Sequence, residues 1–138
     1  MNGRKESEWQ KIDTVSDCNT ILKAEIEELT LRKSVDSAEW VVFEDEDLIS
    51  EWQDFFSDLM LKSDNSLKKT ASNLNGGTNV VSVKTNDKEI EVLFYDIDNN
   101  NVISINGNFY LWESTKDIPF LDIYDEAKER HGVVTPWE

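Results

Sequence analysis

Residues 45–61 constrain the fold more than any other segment of the chain. Their large apolar side chains recur at the spacings of an amphipathic α-helix; these residues are Leu48, Ile49, Trp52, Phe55, Phe56, Leu59 and Met60. Asp45 is typical of an N-cap, and Glu46 and Asp47 follow it where the helix dipole favours carboxylates. The pattern predicts a central helix over about 45–61 with one wide buried face.

The segment that begins at Val80 is typical of β-structure. Apolar and polar residues alternate from Val80 onward, and Asn106-Gly107 predicts a tight hairpin turn because both positions of a type I′ turn need positive φ. Residues 40–43 form a further strand candidate. Residues 21–33 fit either a helix or a strand, and a strand ending near Lys33 is slightly favoured.

A second helix is predicted over about 120–131, because Pro119 precedes it and Gly132 can end it. We therefore expect an α+β fold in which one antiparallel sheet of about four to six strands is packed by the central and C-terminal helices. The length of 138 residues predicts one domain over 21–138. A polar lead-in over 1–20 precedes that domain, and a mobile loop at about 62–79 interrupts it.

The composition is strongly acidic, with 29 aspartates and glutamates against 14 lysines and arginines and a net charge of −15. This charge argues against direct nucleic-acid binding, because a phosphate backbone would be repelled. A 38% hydrophobic content excludes a disordered acidic tail. The chain has one cysteine (Cys18) and one histidine (His131), so it predicts no internal disulfide, no His-rich metal site and no cofactor. The lack of a long apolar segment predicts a cytoplasmic protein without membrane contact.

The acidic residues are concentrated in one window. Residues 34–61 hold nine acids and no lysine, arginine or histidine. Four of these acids form a stripe beside the apolar face of the central helix: Asp47, Glu51, Asp54 and Asp58. Like charges at this spacing destabilise a helix, so the stripe suggests a surface that meets a basic partner. A role in solubility alone explains the same charges.

Candidate partner-binding residues are the helix stripe, the adjoining Glu44 and Glu46, and Trp137, which is either an exposed aromatic anchor or a packed residue. A weaker candidate is a cation site at Asp96, Asp98 and Asn100, which match the first ligand positions of a calcium loop. Gly107 stands where that loop needs a bidentate glutamate, so a hairpin turn is favoured.

These observations lead to one functional hypothesis and two alternatives. The hypothesis is a non-enzymatic acidic protein that neutralises a basic protein partner by occlusion, such as an immunity protein that inhibits a toxin. A nuclease-type toxin is favoured because its substrate-binding surface must be positive, and a nucleic-acid mimic would use the same electrostatics. The alternatives are a small carboxylate-based hydrolase or lyase, and an accessory regulatory domain whose acidity serves solubility only.

Overall fold

Eight strands form one antiparallel sheet in the described part of the protein. The computed structural model describes residues 9–14, 25–34, 37–64, 66–67, 69, 79–86, 88–97 and 100–135. The strands are β1 (Gln10–Lys11), β2 (Ile26–Arg32), β3 (Val41–Phe43), β4 (Met60–Ser63), β5 (Asn79–Thr85), β6 (Glu89–Ile97), β7 (Asn100–Ile105) and β8 (Asn108–Glu113). Their order across the sheet is β1-β4-β8-β7-β6-β5-β2-β3. The predicted α+β class is confirmed, whereas the predicted number of four to six strands was too low.

Two α-helices accompany the sheet with bounds that lie within the described ranges: α1 (Glu46–Ser57) and α2 (Phe120–His131). The boundaries of α2 match the sequence prediction. The prediction that the central helix reaches residue 61 was wrong, because the chain leaves the helix after Ser57 and pairs with β8 from Met60 onward. Leu59 and Leu61 are both buried on either side of half-buried Met60, so this segment also satisfies the two-residue period of a strand. None of the described helices is long and apolar enough to cross a membrane.

Strand β2 resolves the ambiguity of residues 21–33 in favour of a strand for its described part. It contains a β-bulge: Ile26 pairs with Thr85 and Glu28 with Lys84, which leaves Glu27 as an extra residue. Because of the bulge, two consecutive glutamates lie between the buried side chains of Ile26 and Leu29.

The hairpin predicted at Asn106-Gly107 is confirmed. Both residues have positive φ, 51° and 87° respectively, and the flanking residues Ile105 and Asn108 are paired. In the pairing of β6 with β7, Ile97 lies opposite Asn100, and the choice between a turn and a calcium loop stays a prediction. Residues 98–99 lie outside the described residues.

The main core lies between the helices and one face of the sheet. It includes an aromatic group in which Trp52 and Phe55 of α1 meet Phe94 and Trp112 of the sheet, with ring centroids 5.5–5.9 Å apart. A smaller cluster of Ile97, Val102 and Phe109 lies on the opposite face, and Leu67 packs against it.

Parts of the predicted lead-in and of the predicted mobile loop lie in strands or pack against buried side chains. Residues 62–63 belong to β4 and Leu67 contacts the smaller cluster; much of 64–78 lies outside the described residues, so the mobile loop stays a prediction. In the predicted lead-in, β1 pairs with β4, Ile12 is fully buried, and its backbone N–H donates to the carbonyl of Leu59 at 3.0 Å.

Candidate functional site

Four consecutive acids, Glu44 to Asp47, lie where β3 joins α1, and we call them the acidic run. Its members have two different roles. Asp45 and Asp47 bind Arg130 in the last turn of α2: Nη1 lies 2.8 Å from Asp45 Oδ2, and Nη2 lies 2.9 Å from Asp47 Oδ2. Glu126 accepts from Nε at 2.9 Å, and His131 Nε2 lies 2.8 Å from Asp45 Oδ1. We call this group of five residues the Arg130 clamp. Two of the acids singled out in the sequence are therefore engaged by side chains of a helix distant in the sequence.

Arg130 favours the ionised forms of Asp45 and Asp47. The hydrogen bond from Arg130 holds the pKa of Asp45 below its usual value; partial burial opposes this shift and His131 adds to it. Arg130 likewise lowers the pKa of Asp47. In return, hydrogen bonds to Asp47, Asp45 and Glu126 raise the pKa of Arg130. All three groups of the Asp–Arg–Asp arrangement therefore stay charged at neutral pH.

Asp58 is also engaged within the protein. Its Oδ2 accepts hydrogen bonds from Ser114 Oγ at 2.7 Å, from the Thr115 backbone N–H at 2.8 Å and from Thr115 Oγ1 at 2.8 Å. These bonds lower the pKa of Asp58, with Ser114 contributing most. Asp58 ends α1 and ties it to the residues after β8, so its carboxylate has a structural role.

A cleft of about 690 Å³ lies on the other side of the acidic run. Four glutamates line it, Glu44 and Glu46 from the run and Glu25 and Glu27 from the start of β2, together with Ile26, Ile49 and Gln53. We call this the acidic cleft. The four glutamates are exposed, whereas Ile26 and Ile49 are only 8% and 6% exposed. Among the described residues that line it, none is basic.

Local backbone geometry explains why four carboxylates meet there. In the run 44–47, Glu44 and Glu46 line the cleft, and the alternate residues Asp45 and Asp47 bind Arg130. The bulge in β2 places Glu27 at the cleft and Glu28 at the neighbouring pocket, because bulges redirect side chains. Sequence reasoning missed Glu25 and Glu27, since their orientation depends on this bulge.

A smaller pocket of about 270 Å³ adjoins the cleft and shares Glu44 with it. Glu28, Asp45 and His131 contribute its polar side chains. The acidic surface thus extends from the start of β2 to the end of α2.

Basic side chains of β2 and the residue after it lie at the opposite end of the strand. Arg32 binds Glu91 Oε2 at 3.1 Å and stacks over the ring of Trp40, with its guanidinium carbon 4.7 Å from the ring centroid. Lys33 Nζ lies 4.8 Å from the ring centroid of Tyr124. Acidic side chains therefore lie at the start of β2, and basic side chains lie at its end.

The remaining predicted site residues are not brought into one site. Glu51 and Asp54 are exposed on α1, and neither is among the described lining of the acidic cleft. Trp137 and Asp98 lie outside the described residues. Asp96 is exposed in β6 opposite Asn101, and no group of three His, Cys, Asp or Glu side chains in the described ranges could hold a metal ion.

Comparisons of this chain with protein-family models, with curated proteins and with solved structures find no match. A fold by itself does not define a function, so the function is inferred from the chemistry of the site.

Proposed function

We propose that this protein is a non-enzymatic binding protein that neutralises a basic protein partner by occluding its functional surface. The acidic cleft is the observation that carries the proposal. Four exposed carboxylates surround two nearly buried isoleucines, and the described lining holds no compensating cation. Carboxylates placed in this way create a negative potential that attracts lysine and arginine and speeds their association.

The chemistry of the cleft matches that of a basic side chain. Lysine and arginine have an aliphatic stem and a charged end, so the stem can contact apolar surface while the charge stays hydrated or paired. The side chains of Ile26 and Ile49 offer apolar surface, and the surrounding glutamates offer acceptors. Exposed Glu51 and Asp54 add to the negative potential on the outer side of α1.

Inhibition of a toxin, with a nuclease-type toxin favoured, is the specific form that we propose. An enzyme that acts on nucleic acid needs a positive surface for the phosphate backbone. A protein with a net charge of −15 can occupy that surface and exclude the substrate. The partner's activity would therefore fall as the complex forms.

The proposal can be tested by comparing two variants with the same change in net charge. The cleft variant carries Glu25→Gln, Glu27→Gln, Glu44→Gln and Glu46→Gln. The control variant carries Asp96→Asn, Asp122→Asn, Asp125→Asn and Glu129→Gln at exposed positions that are not among the described lining of the acidic cleft. Each immobilised protein is incubated with lysate of its native host at low and high salt, and the bound proteins are identified by mass spectrometry.

We expect wild-type and control proteins to retain a basic partner at low salt and the cleft variant to lose it. The recovered partner is then assayed for nuclease activity with increasing amounts of the wild-type protein. Equal retention by the two variants would show that the cleft is not the interface. A retained partner whose nuclease activity is absent or unaffected would contradict the nuclease-inhibitor form of the proposal.

A further inference from the structure

We propose that Arg130 is a positioning residue for the acidic cleft, an inference that rests on the proposed function. Arg130 lies outside the described lining of the cleft, yet it binds the residues that alternate with two of the lining glutamates. By fixing Asp45 and Asp47, the guanidinium group sets the direction of Glu44 and Glu46.

The contacts of Arg130 define a geometry that a simple positive charge does not reproduce. Nη1 and Nη2 both bind Asp47, at 3.1 and 2.9 Å from its two carboxylate oxygens, while Nη1 also binds Asp45 and Nε binds Glu126. The planar guanidinium therefore joins three carboxylates in fixed directions. A lysine ammonium group at the same position would keep the charge but lose the two-point contact with Asp47.

The clamp acts at the start of α1. Asp45 is the N-cap residue of α1, but its side chain makes no capping hydrogen bond to the helix. It is bound to Arg130 and His131 instead, and the first backbone bond of the helix runs from the Ile49 N–H to the Asp45 carbonyl at 3.0 Å. Arg130 thus holds the first turn of α1 from outside the helix.

A positioning role and net charge predict opposite effects of Arg130→Gln on the binding of a cationic probe. Removing a cation makes the protein more negative, so charge alone predicts that Arg130→Gln binds a cationic probe more tightly. A loss of positioning predicts weaker binding, because Glu44 and Glu46 no longer share one orientation with Glu25 and Glu27. The sign of the change therefore separates the two explanations.

We would measure the affinity of octa-lysine for the full-length protein by calorimetry at low ionic strength. The variants are Arg130→Gln, Arg130→Lys and Lys128→Gln. Like Arg130→Gln, Lys128→Gln removes one positive charge, but at an exposed position in the same helix that lies outside the clamp. We expect Arg130→Gln and Arg130→Lys to weaken binding by roughly three- to tenfold, and Lys128→Gln to leave it unchanged or tighter. Circular dichroism checks the folding of each variant, and Arg130→Lys decides the test if Arg130→Gln does not fold.

Different results would overturn the proposed function of the cleft and the positioning role of Arg130. If wild-type protein does not bind octa-lysine, or the cleft variant binds it as well as wild type does, the proposed function of the cleft is overturned. If wild-type binding depends on the cleft but Arg130→Gln binds as tightly as Lys128→Gln and Arg130→Lys matches wild type, the function stands and the positioning role of Arg130 is overturned.

Discussion

At the scale of single residues, the structure separates carboxylates that hold the fold from carboxylates that face solvent. Asp58 belongs to the first group because one of its oxygens accepts three hydrogen bonds. Glu51 and Asp54 share its helix and stripe, but they are exposed. Carboxylates at helical spacing therefore differ in role according to what the neighbouring segment provides.

Replacement of Asp58 tests this distinction. Asp58→Ala removes the acceptor for Ser114 and Thr115, so we expect the melting temperature to fall by about 3–6 °C. Asp54→Ala, one turn away and exposed, should change it by less than about 2 °C. Thermal unfolding followed by circular dichroism measures both, and equal effects would contradict a structural role for Asp58.

The acid dependence of stability provides a second prediction for this residue. The folded-state pKa of Asp58 is lowered below 3.8, the value expected of the unfolded chain. Its stabilising contribution is therefore fully present above about pH 4 and is lost as the pH falls through the lower, folded-state value. The difference in free energy of unfolding between wild type and Asp58→Ala should shrink between pH 5 and pH 2.5. Urea titrations at several pH values measure it, and a constant difference would refute the prediction.

At the scale of elements, the predictions that succeeded depend on neighbours in the sequence. The Asn106-Gly107 turn is encoded by two adjacent residues, and α2 by its own apolar period with Pro119 and Gly132 at its ends. The end of α1, in contrast, is not determined by neighbouring residues in the sequence. Leu59 and Met60 continue the helical period, but the pairing of Leu61 with Trp112 from a distant strand determines where the helix stops.

Gly107 allows the contribution of its turn to be measured. Its φ of 87° is disfavoured for residues with a Cβ atom, and a Cβ added there would meet no atom within 4 Å. Gly107→Ala should therefore lower the free energy of unfolding by about 1 kcal/mol through backbone conformation alone. Gly107→Asn should recover part of this loss, because asparagine tolerates the left-handed region. Urea unfolding compares the variants, and identical losses for both substitutions would contradict this explanation.

At the scale of the whole molecule, the charge asymmetry was predictable from composition, but its distribution was not. The count of acids gives the net charge of −15, whereas the position of Arg130 against Asp45 and Asp47 depends on the packing of α2 beside β3 and α1. The bulge that brings Glu27 to the cleft likewise depends on the pairing of β2 with β5. The predicted stripe therefore contained two residues, Asp47 and Asp58, that the fold uses internally, and it omitted Glu25 and Glu27.

Four neighbouring glutamates in the acidic cleft should repel one another and destabilise the protein. The cleft variant removes four neighbouring negative charges, so we expect its free energy of unfolding in 10 mM NaCl to exceed that of wild type by about 1 kcal/mol. The gain should largely disappear in 500 mM NaCl, where screening weakens the repulsion. Urea unfolding at both salt concentrations measures it. The control variant should gain less, and a salt-independent gain would point to an effect other than repulsion in the cleft.

The bulge at Glu27 also bears on how this surface can change among related chains. Deleting Glu27 would leave Ile26 opposite Thr85, Glu28 opposite Lys84 and Leu29 opposite Val83, which is a regular strand with the same residues facing the core. The insertion or loss of one residue at this point thus alters the charge of the surface and leaves the hydrophobic packing unchanged. The charge of this surface and the folding of the chain can therefore change independently at a single codon.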